Sequence, residues 1–449
     1  MLYTKQIPIK YDVDIFVAGG GPSGVAAAVT AARQGKRVFL AENNGCFGGS
    51  GTVGLVPAFA QFTDGERLLV GGVGREVRYR VVGEACNYSR AFCGVKVETL
   101  KKTYDDIVTA EENIQFSFFT RLIDVIATDG HIDCAILAAK SGIFAVKAKI
   151  YVDCTGDADL SAMAGADTEF GDENGVAMPS TLCSLWSDVD YSQKNDADFM
   201  QALENAFKDG VFSVEDRHVS GFFPFAKDSS IAGANIGHCF DVDARDETSL
   251  TKAMLRGRSY MSEFGKFYRE YIGGPYKNAH LCYTADMLGI RESRRVVCDY
   301  RLSGSDFLAR ASFPDEIGRY AYPVDIHIMK PDKASYDKFL KEYSQDMHYG
   351  VGESYGIPYR SLIPAKLDNA LVAGRCIGTD RQMQASVRVM PGCFITGTAA
   401  GIAASLAVKT QDTRRVDIGE LREKIRQDFG EERTRETEFG AQSDTVYRY

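Results

Sequence analysis

Apolar positions along this chain fall into a few rhythms, and the first is the most informative. Val13 and Ile15–Val17 form an apolar run of strand length, rich in β-branched and aromatic residues. Gly19, Gly21 and Gly24 follow with G-x-G-x-x-G spacing. Ala26–Ala28, Ala31 and Ala32 then mark a helix of small residues, ended by Gly35, a residue suited to a left-handed C-terminal position. Arg37–Ala41 is a second strand and closes on Glu42. The order is strand, glycine turn, helix, strand, acid.

Further along, helices are expected over Arg75–Val82 and Val97–Glu111. Short apolar runs parted by turns predict strands over Ile114–Phe119, Leu122–Thr128, His131–Ala139, Gly142–Phe144 and Lys147–Val152. This is a β-meander leading back to the main sheet, and it opens into a helix at Ala158–Ala164. Phe170 to Tyr355 is more polar, with helix-prone stretches at Ser192–Lys208 and Asp246–Arg269; it reads as a substrate-side domain or a large insertion. Organised character returns with a strand at Ala370–Ala373 and a glycine- and alanine-rich helix after Pro391-Gly392. A last helix is expected over Ile418–Phe429.

The first unit has a chemical logic. Gly19 permits the tight turn, Gly21 lets backbone approach a pyrophosphate, and Gly24 lets the helix lie close on the strand. The helix start, with Pro22 and Ser23, offers N–H groups and a partial positive charge to phosphates. Glu42 stands 18 residues after Gly24 and suits a ribose, which argues against a 2′-phosphate. A dinucleotide is therefore expected here. Asn43–Thr52 contains Gly45, Gly48, Gly49 and Gly51, either a surface loop or backbone that passes beside a flat ligand. Gly71, Gly72 and Gly74 imitate a second phosphate loop but have neither its strand nor its acid. They read as a helix start with some reach to ligand.

Other groups leave two readings open. Thr155, Gly156 and Asp157 lie where the returning strand opens into a helix. Arg291, Glu292, Arg294 and Arg295 can clamp a carboxylate or form a charged structural network. His327, two residues after Asp325, is either a hydrogen-bonded core group or an acid–base. The helix start at Pro391 and Gly392 can donate N–H bonds to an anionic group, or simply pack.

Composition narrows the class. With 45% hydrophobic and 25% charged residues, the 449-residue chain is an ordinary globular protein of about three domain-sized units. A net charge of −9 disfavours nucleic acid or an anionic membrane as partner. No apolar run is seen to approach the ~18 residues of a membrane helix, and no signal-peptide core is seen, so a cytoplasmic location is expected. None of the 11 cysteines forms C-x-x-C, and no metal site is expected.

Taken together, DIFVAGGGPSGVAAAVTAARQGKRVFLAE, GCFGGSGT, YVDCTGDADLSAMAGA, GIRESRR, VDIH, IPYRSLIP and LVAGRCIGTD with RVMPGCFITGTAAG resemble the FAD-dependent oxidoreductases of the glutathione-reductase-like superfamily. The resemblance spans nearly the whole chain. It implies an α/β fold: a Rossmann-like FAD-binding domain with a central parallel sheet and β-meander, formed by 1–170 and 356–449, and a mixed α+β substrate-side domain over 171–355. It implies FAD as cofactor, held by Gly19, Gly21, Pro22, Ser23 and Gly24 at the pyrophosphate and by Glu42 and Asn43 near the ribose. Gly48, Gly49 and Ser50 would line the flavin side, and Leu122 and Ile123 would meet adenine. Thr155, Gly156, Asp157, Gly374 and Asp380 would complete the binding path, with Pro391, Gly392 and Cys393 facing the isoalloxazine. His327, Arg291 and Arg388 would serve the substrate face, and Cys46 is either an ordinary cysteine or a flavin tether.

The expected activity is hydride transfer between a small organic substrate and flavin N5. No second complete dinucleotide unit is present, so the electron partner is a second substrate, oxygen or a separate protein. A homo-oligomer is compatible with all of this. NAD-dependent chemistry on the same fold, and a flavin-loaded binding or regulatory subunit, are the alternatives.

Overall fold

The computed structural model describes residues 4–83, 88–195, 197–226, 229–343 and 347–430. Its main sheet has seven strands: β1 (Ile9–Ala18), β2 (Val38–Ala41), β3 (Ile114–Ser117), β4 (Arg121–Thr128), β5 (His131–Ala139), β6 (Gly142–Asp153) and β7 (Ala370–Val372). Across the sheet they run β3-β2-β1-β6-β5-β4, and β7 lies beside the end of β6. β3, β2, β1, β6 and β7 are parallel, while β4 and β5 form the antiparallel meander.

The strands expected at Gly142–Phe144 and Lys147–Val152 are one strand, β6. Ala145 and Val146, between them, are paired on both sides: Ala145 with Ile9 and Ile136, Val146 with Tyr11 and Ala135. Both faces of β6 are covered, with Ile150 and Val152 in the larger core and Phe144, Val146 and Tyr151 in the smaller one, so it has no need of the polar alternation that marks a half-solvated strand.

Alternation along β1 creates two faces. Ile15 and Val17 join the larger core beneath two helices, Pro22–Arg33 and Met390–Ala407. Phe16 and Ala18 face a smaller aromatic layer with Tyr11, Phe39, Phe144 and Tyr151. The two helices approach closely because Gly397 sits on the Ser23 backbone and Gly401 on the Ala27 carbonyl, where a Cβ would not fit. Met390–Ala407 also corrects the hydropathy reading. Its 18 residues are long and apolar enough to cross a membrane, yet 89% are buried inside the protein. Thr396, Thr398 and Ser405 dilute the apolar run without ending it.

A second sheet, in the order Gly221–Pro224, Ala232–Asn235, Ser184–Ser187, His280–Thr284, forms its own core with the helix Glu247–Phe267 around Trp186, Leu203 and Phe264. Leu302, Phe307, Ile317, Tyr320 and Tyr355 pack instead on the first core. Gly71, Gly72 and Gly74 do begin a helix, Gly72–Val82. The ligand reach expected of them is blocked: Phe429 covers Gly71, the Asp428 carboxylate faces Gly72, and Phe394 lies on Gly74.

Candidate functional site

The turn after β1 is built by close approach. Gly19 has φ +93°, and a Cβ there would lie 2.6 Å from the Cys154 carbonyl oxygen beyond β6. A Cβ on Gly24 would run into the Gly19 carbonyl. Gly21 differs, because a Cβ there meets nothing within 4 Å. It opens on free space at the start of helix Pro22–Arg33, which has no side-chain cap and no acid in its first turn. No side chain of that helix competes for its N–H groups, the arrangement an anion needs.

Glu42, at the end of β2, is buried and accepts the Gly20 N–H at 2.7 Å with Oε2. Its Oε1 accepts the Asn44 N–H and side-chain amide, each at 2.7 Å. A carboxylate offers about four acceptor positions, so room for a ribose hydroxyl remains. Asn43 is exposed. The following loop lies over the glycine turn: Gly48 N–H donates to the Gly20 carbonyl at 2.8 Å, and Gly49 lies against Gly21, with half-buried Ser50 beside it. Burial raises the Cys46 thiol, which stays protonated at neutral pH. Leu122 is half-buried and Ile123 exposed at the start of β4, just after Thr120, whose N–H donates to the Glu42 carbonyl at 3.0 Å.

The ends of β6 and β7 complete the cradle. Thr155 donates its N–H and hydroxyl to Asp153 at 3.1 and 2.7 Å. Arg375 folds over Gly156, donating to the carbonyls of Gly156 (2.9 Å) and Ile290 (2.7 Å) and to the Asp157 carboxylate (2.7 Å). Gly374, at φ +85°, lies against the side chains of Ser23 and Cys393. Pro391 and Gly392 occupy the buried first turn of Met390–Ala407, and the Cys393 thiol donates to the Arg388 carbonyl at 3.1 Å. Burial pushes that thiol up to about 12.

Asp380, expected on the binding path, also serves the fold. Its carboxylate accepts the N–H groups of Met383 and Gly304, each at 2.8 Å, and caps the helix Arg381–Val387. The charged side chain at the Gly374 turn is Arg375.

Beside the start of Met390–Ala407 lies a largely buried polar array, with Asp325 partly exposed. Arg388 Nη2 donates to the Asp325 carbonyl and carboxylate, both at 3.1 Å. Asp325 Oδ1 faces His327 Nε2 at 3.4 Å, His327 Nδ1 lies 2.8 Å from His238 Nε2, and His238 Nδ1 lies 2.9 Å from Asp216 Oδ2. His218 stacks on His327 at 4.5 Å. Burial works to raise the Asp325 carboxyl, but the positive charge around it, Arg388 and Arg291 included, outweighs burial and holds it well below its usual range. Burial, with the Arg291 charge, holds His327 well below the ordinary histidine range, so its ring is neutral at pH 7.

Of the four charged residues in the arginine-rich stretch, Arg295 pairs with Glu292 and Arg294 with Asp159, a structural network. Arg291 is buried and donates to the Pro179 carbonyl, the Thr181 hydroxyl and Asn235. Burial and the nearby Arg388 charge lower it to about 10. His327 thus has histidine partners, and Asp216, His218 and His238 were missed. The available signal was a repeated D-x-H, Asp216-Arg217-His218 and Asp325-Ile326-His327.

The chain matches the family described as FAD dependent oxidoreductase over residues 14–425. A comparison with curated proteins found no match. Among solved structures it is similar to a geranylgeranyl bacteriochlorophyll reductase-like protein from Thermoplasma acidophilum, at 12% identity and TM-score 0.44, covering 93% of this chain and 84% of that one. The p-nitrophenol 4-monooxygenase PnpA from Pseudomonas putida aligns at 10% identity and TM-score 0.41, over 92% and 81%. The flavin-dependent brominase Bmp2 aligns at 12% identity and TM-score 0.40, over 92% and 83%.

Proposed function

This chain belongs to the FAD-dependent oxidoreductase family, and from that premise we propose that it moves a hydride between a small organic substrate and flavin N5, within the glutathione-reductase-like superfamily. FAD, when bound, supplies the two-electron carrier, and the protein supplies binding, orientation and proton handling. The residues fit that cofactor: Gly21 opens on free space at an uncapped helix start, and Glu42 keeps acceptor capacity for a ribose.

In this reading Gly19, Gly21, Pro22, Ser23 and Gly24 hold the pyrophosphate, with Glu42 and Asn43 at the ribose and Leu122-Ile123 at adenine. Gly48, Gly49, Ser50 and Pro391, Gly392, Cys393 border the ring. Thr155, Gly156 and Asp157, braced by Gly374-Arg375, close the remaining side. The division into 1–170 with 356–449, and 171–355, belongs to the same proposal, as do a cytoplasmic location and a small-molecule partner.

The observation that carries the chemistry is the tie from Arg388, one residue before the cap of Met390–Ala407, to Asp325 and so to His327. His327 accepts or returns the proton that accompanies the hydride. Arg388 Nε, buried with no hydrogen-bond partner among the described residues, is a donor for a substrate oxygen. Arg291 adds a second fixed positive charge.

The test is a visible spectrum of the purified protein, acid precipitation, and anaerobic exposure to small alcohols, amines and hydroxy acids. FAD is expected in the supernatant and bleached by one of these classes. A flavin that nothing small reduces or reoxidises would favour a binding subunit. A colourless protein that cannot take up FAD would sink the reading.

A further inference from the structure

His238 and His327 face each other inside the protein, with nearer nitrogens 2.8 Å apart, and each ring's other nitrogen faces a carboxylate. Acid, ring, ring and acid therefore meet at three junctions in line, and each junction is satisfied by one proton. Two neutral imidazoles carry two N–H protons between them. The array is complete with one further proton, and without it one pair of acceptors must face each other.

The contacts say which pair. Asp216 accepts the backbone N–H groups of His218 at 3.0 Å and His238 at 3.1 Å, and with His238 beside it these outweigh burial and keep it ionised. His238 therefore carries its proton on Nδ1, which makes Nε2 an acceptor. His327 must then carry its proton on Nδ1, and its Nε2 turns a lone pair toward Asp325. Asp325 Oδ2 is already held by Arg388 and, at 3.3 Å, by the Tyr322 hydroxyl. The distances agree: the first two junctions have hydrogen-bond lengths, and the third, at 3.4 Å, is longer.

The charged and titratable neighbours are Arg388, Arg291, Tyr322 and His218, with Tyr336 on the Asp216 side; Phe240 packs on His238 and Phe339 on His218. The ring nitrogens face one another, and no three ligating side chains converge to hold a metal ion among the described residues.

We propose that His327, His238 and Asp216 form a proton wire whose inlet is His327 Nε2, with His238 and Asp216 as positioning residues that set the tautomer of His327 and share its charge. The proposal rests on the acid–base reading of His327. The step balances without another reagent. A substrate X–H bond breaks and leaves its electron pair on X, and an N–H bond forms at His327 Nε2. The His327 Nδ1 proton then crosses to His238 Nε2, so positive charge rests on the ring bonded to Asp216. The reverse sequence returns a proton to substrate. A single buried imidazole would carry that charge alone against the desolvation of its site; two rings between two carboxylates divide it.

The test is nitrogen NMR of the full-length holoprotein labelled with ring-15N histidine, titrated through the acid range, with signals assigned by single substitutions. At neutral pH both His238 and His327 should show Nδ1 as N–H and Nε2 as unprotonated, and on acidification both rings should shift together as one proton enters. His238→Phe removes the acceptor of His327 Nδ1, so the His327 proton should move to Nε2, toward Asp325. If that variant does not fold, Asp325→Asn serves: an amide donor at His327 Nε2 should keep the Nδ1–H form and move proton uptake to lower pH. A wild-type His327 protonated on Nε2 would overturn the wire, as would rings that titrate independently or variants that leave the tautomer and uptake unchanged. The spectra need no substrate. A correct tautomer set with an unreactive flavin would retire the proposed reaction and leave the wire, and a reactive flavin with the opposite tautomer would do the reverse.

Discussion

Arg388 grips Asp325 with one nitrogen, Nη2, which lies 3.1 Å from both the carbonyl and a carboxylate oxygen. Arg388 closes the helix Arg381–Val387 and precedes the cap of Met390–Ala407. The substrate-side acid is thereby held to the helix start that the FAD reading places beside the ring.

Arg388→Met removes both bonds and leaves the Asp325 carboxylate to Tyr322 and His327. Because Asp325 is partly exposed, the expected cost in stability is about 2 kcal/mol rather than the larger loss of a fully buried pair. Urea unfolding measures it, and flavin reduction by substrate should slow at least about tenfold, ~1.4 kcal/mol in the barrier. Normal reduction in a folded variant would remove Arg388 from the site.

Gly21 and Gly24 should separate binding from folding. Gly21→Ala places its Cβ in open space with φ −68°, so stability should change by no more than about 0.5 kcal/mol. The same methyl occupies the phosphate approach, and FAD affinity should fall at least about tenfold. Gly24→Ala collides with the Gly19 carbonyl and should destabilise the fold by about 3 kcal/mol. Thermal unfolding and bound FAD per protein distinguish the two, and full FAD retention by Gly21→Ala would contradict the assigned pyrophosphate path.

His218 sets an acid-side slope in stability. Burial first, then His238, lowers it from 6.5 to about 4. Between those values the unfolded chain binds a proton that the folded chain does not. Stability is therefore full above ~6.5 and falls as pH drops toward 4, by up to about 3 kcal/mol from this group. His218→Phe, which keeps a ring in the stack between His327 and Phe339, should flatten the change in urea midpoint between pH 7 and pH 5. Parallel profiles for wild type and variant would refute the assignment.

Arg375→Met should loosen the far wall of the cradle. It leaves the Gly156 and Ile290 carbonyls and the Asp157 carboxylate without their shared donor. A loss of about 2–4 kcal/mol is expected, with weaker FAD retention, because an abandoned acceptor costs about 1–3 kcal/mol where it stays dry. An unchanged melting temperature would show that water replaces the guanidinium freely.

What the sequence determined alone is the part whose physics is short-ranged. The close pass of Gly24 over the Gly19 carbonyl spans five residues, and the apolar alternation of β1 assigns Ile15 and Val17 to one face and Phe16 to the other. Backbone sterics and periodicity dictate these wherever the chain folds. Tertiary structure decided the rest. Gly71 and Gly72 read as a helix start with some reach to ligand, and Asp428 and Phe429, from the far end of the chain, close that reach. Asp380 gains a second backbone donor in Gly304, 76 residues away along the chain. His327 reads as an isolated ring until the fold brings His238, 89 residues away in the chain, within hydrogen-bond reach of it, with Asp216 on the far side of His238. A hydrogen bond depends on angles and distances between groups that sequence spacing does not encode, so partners this remote emerge only once the core has closed around them.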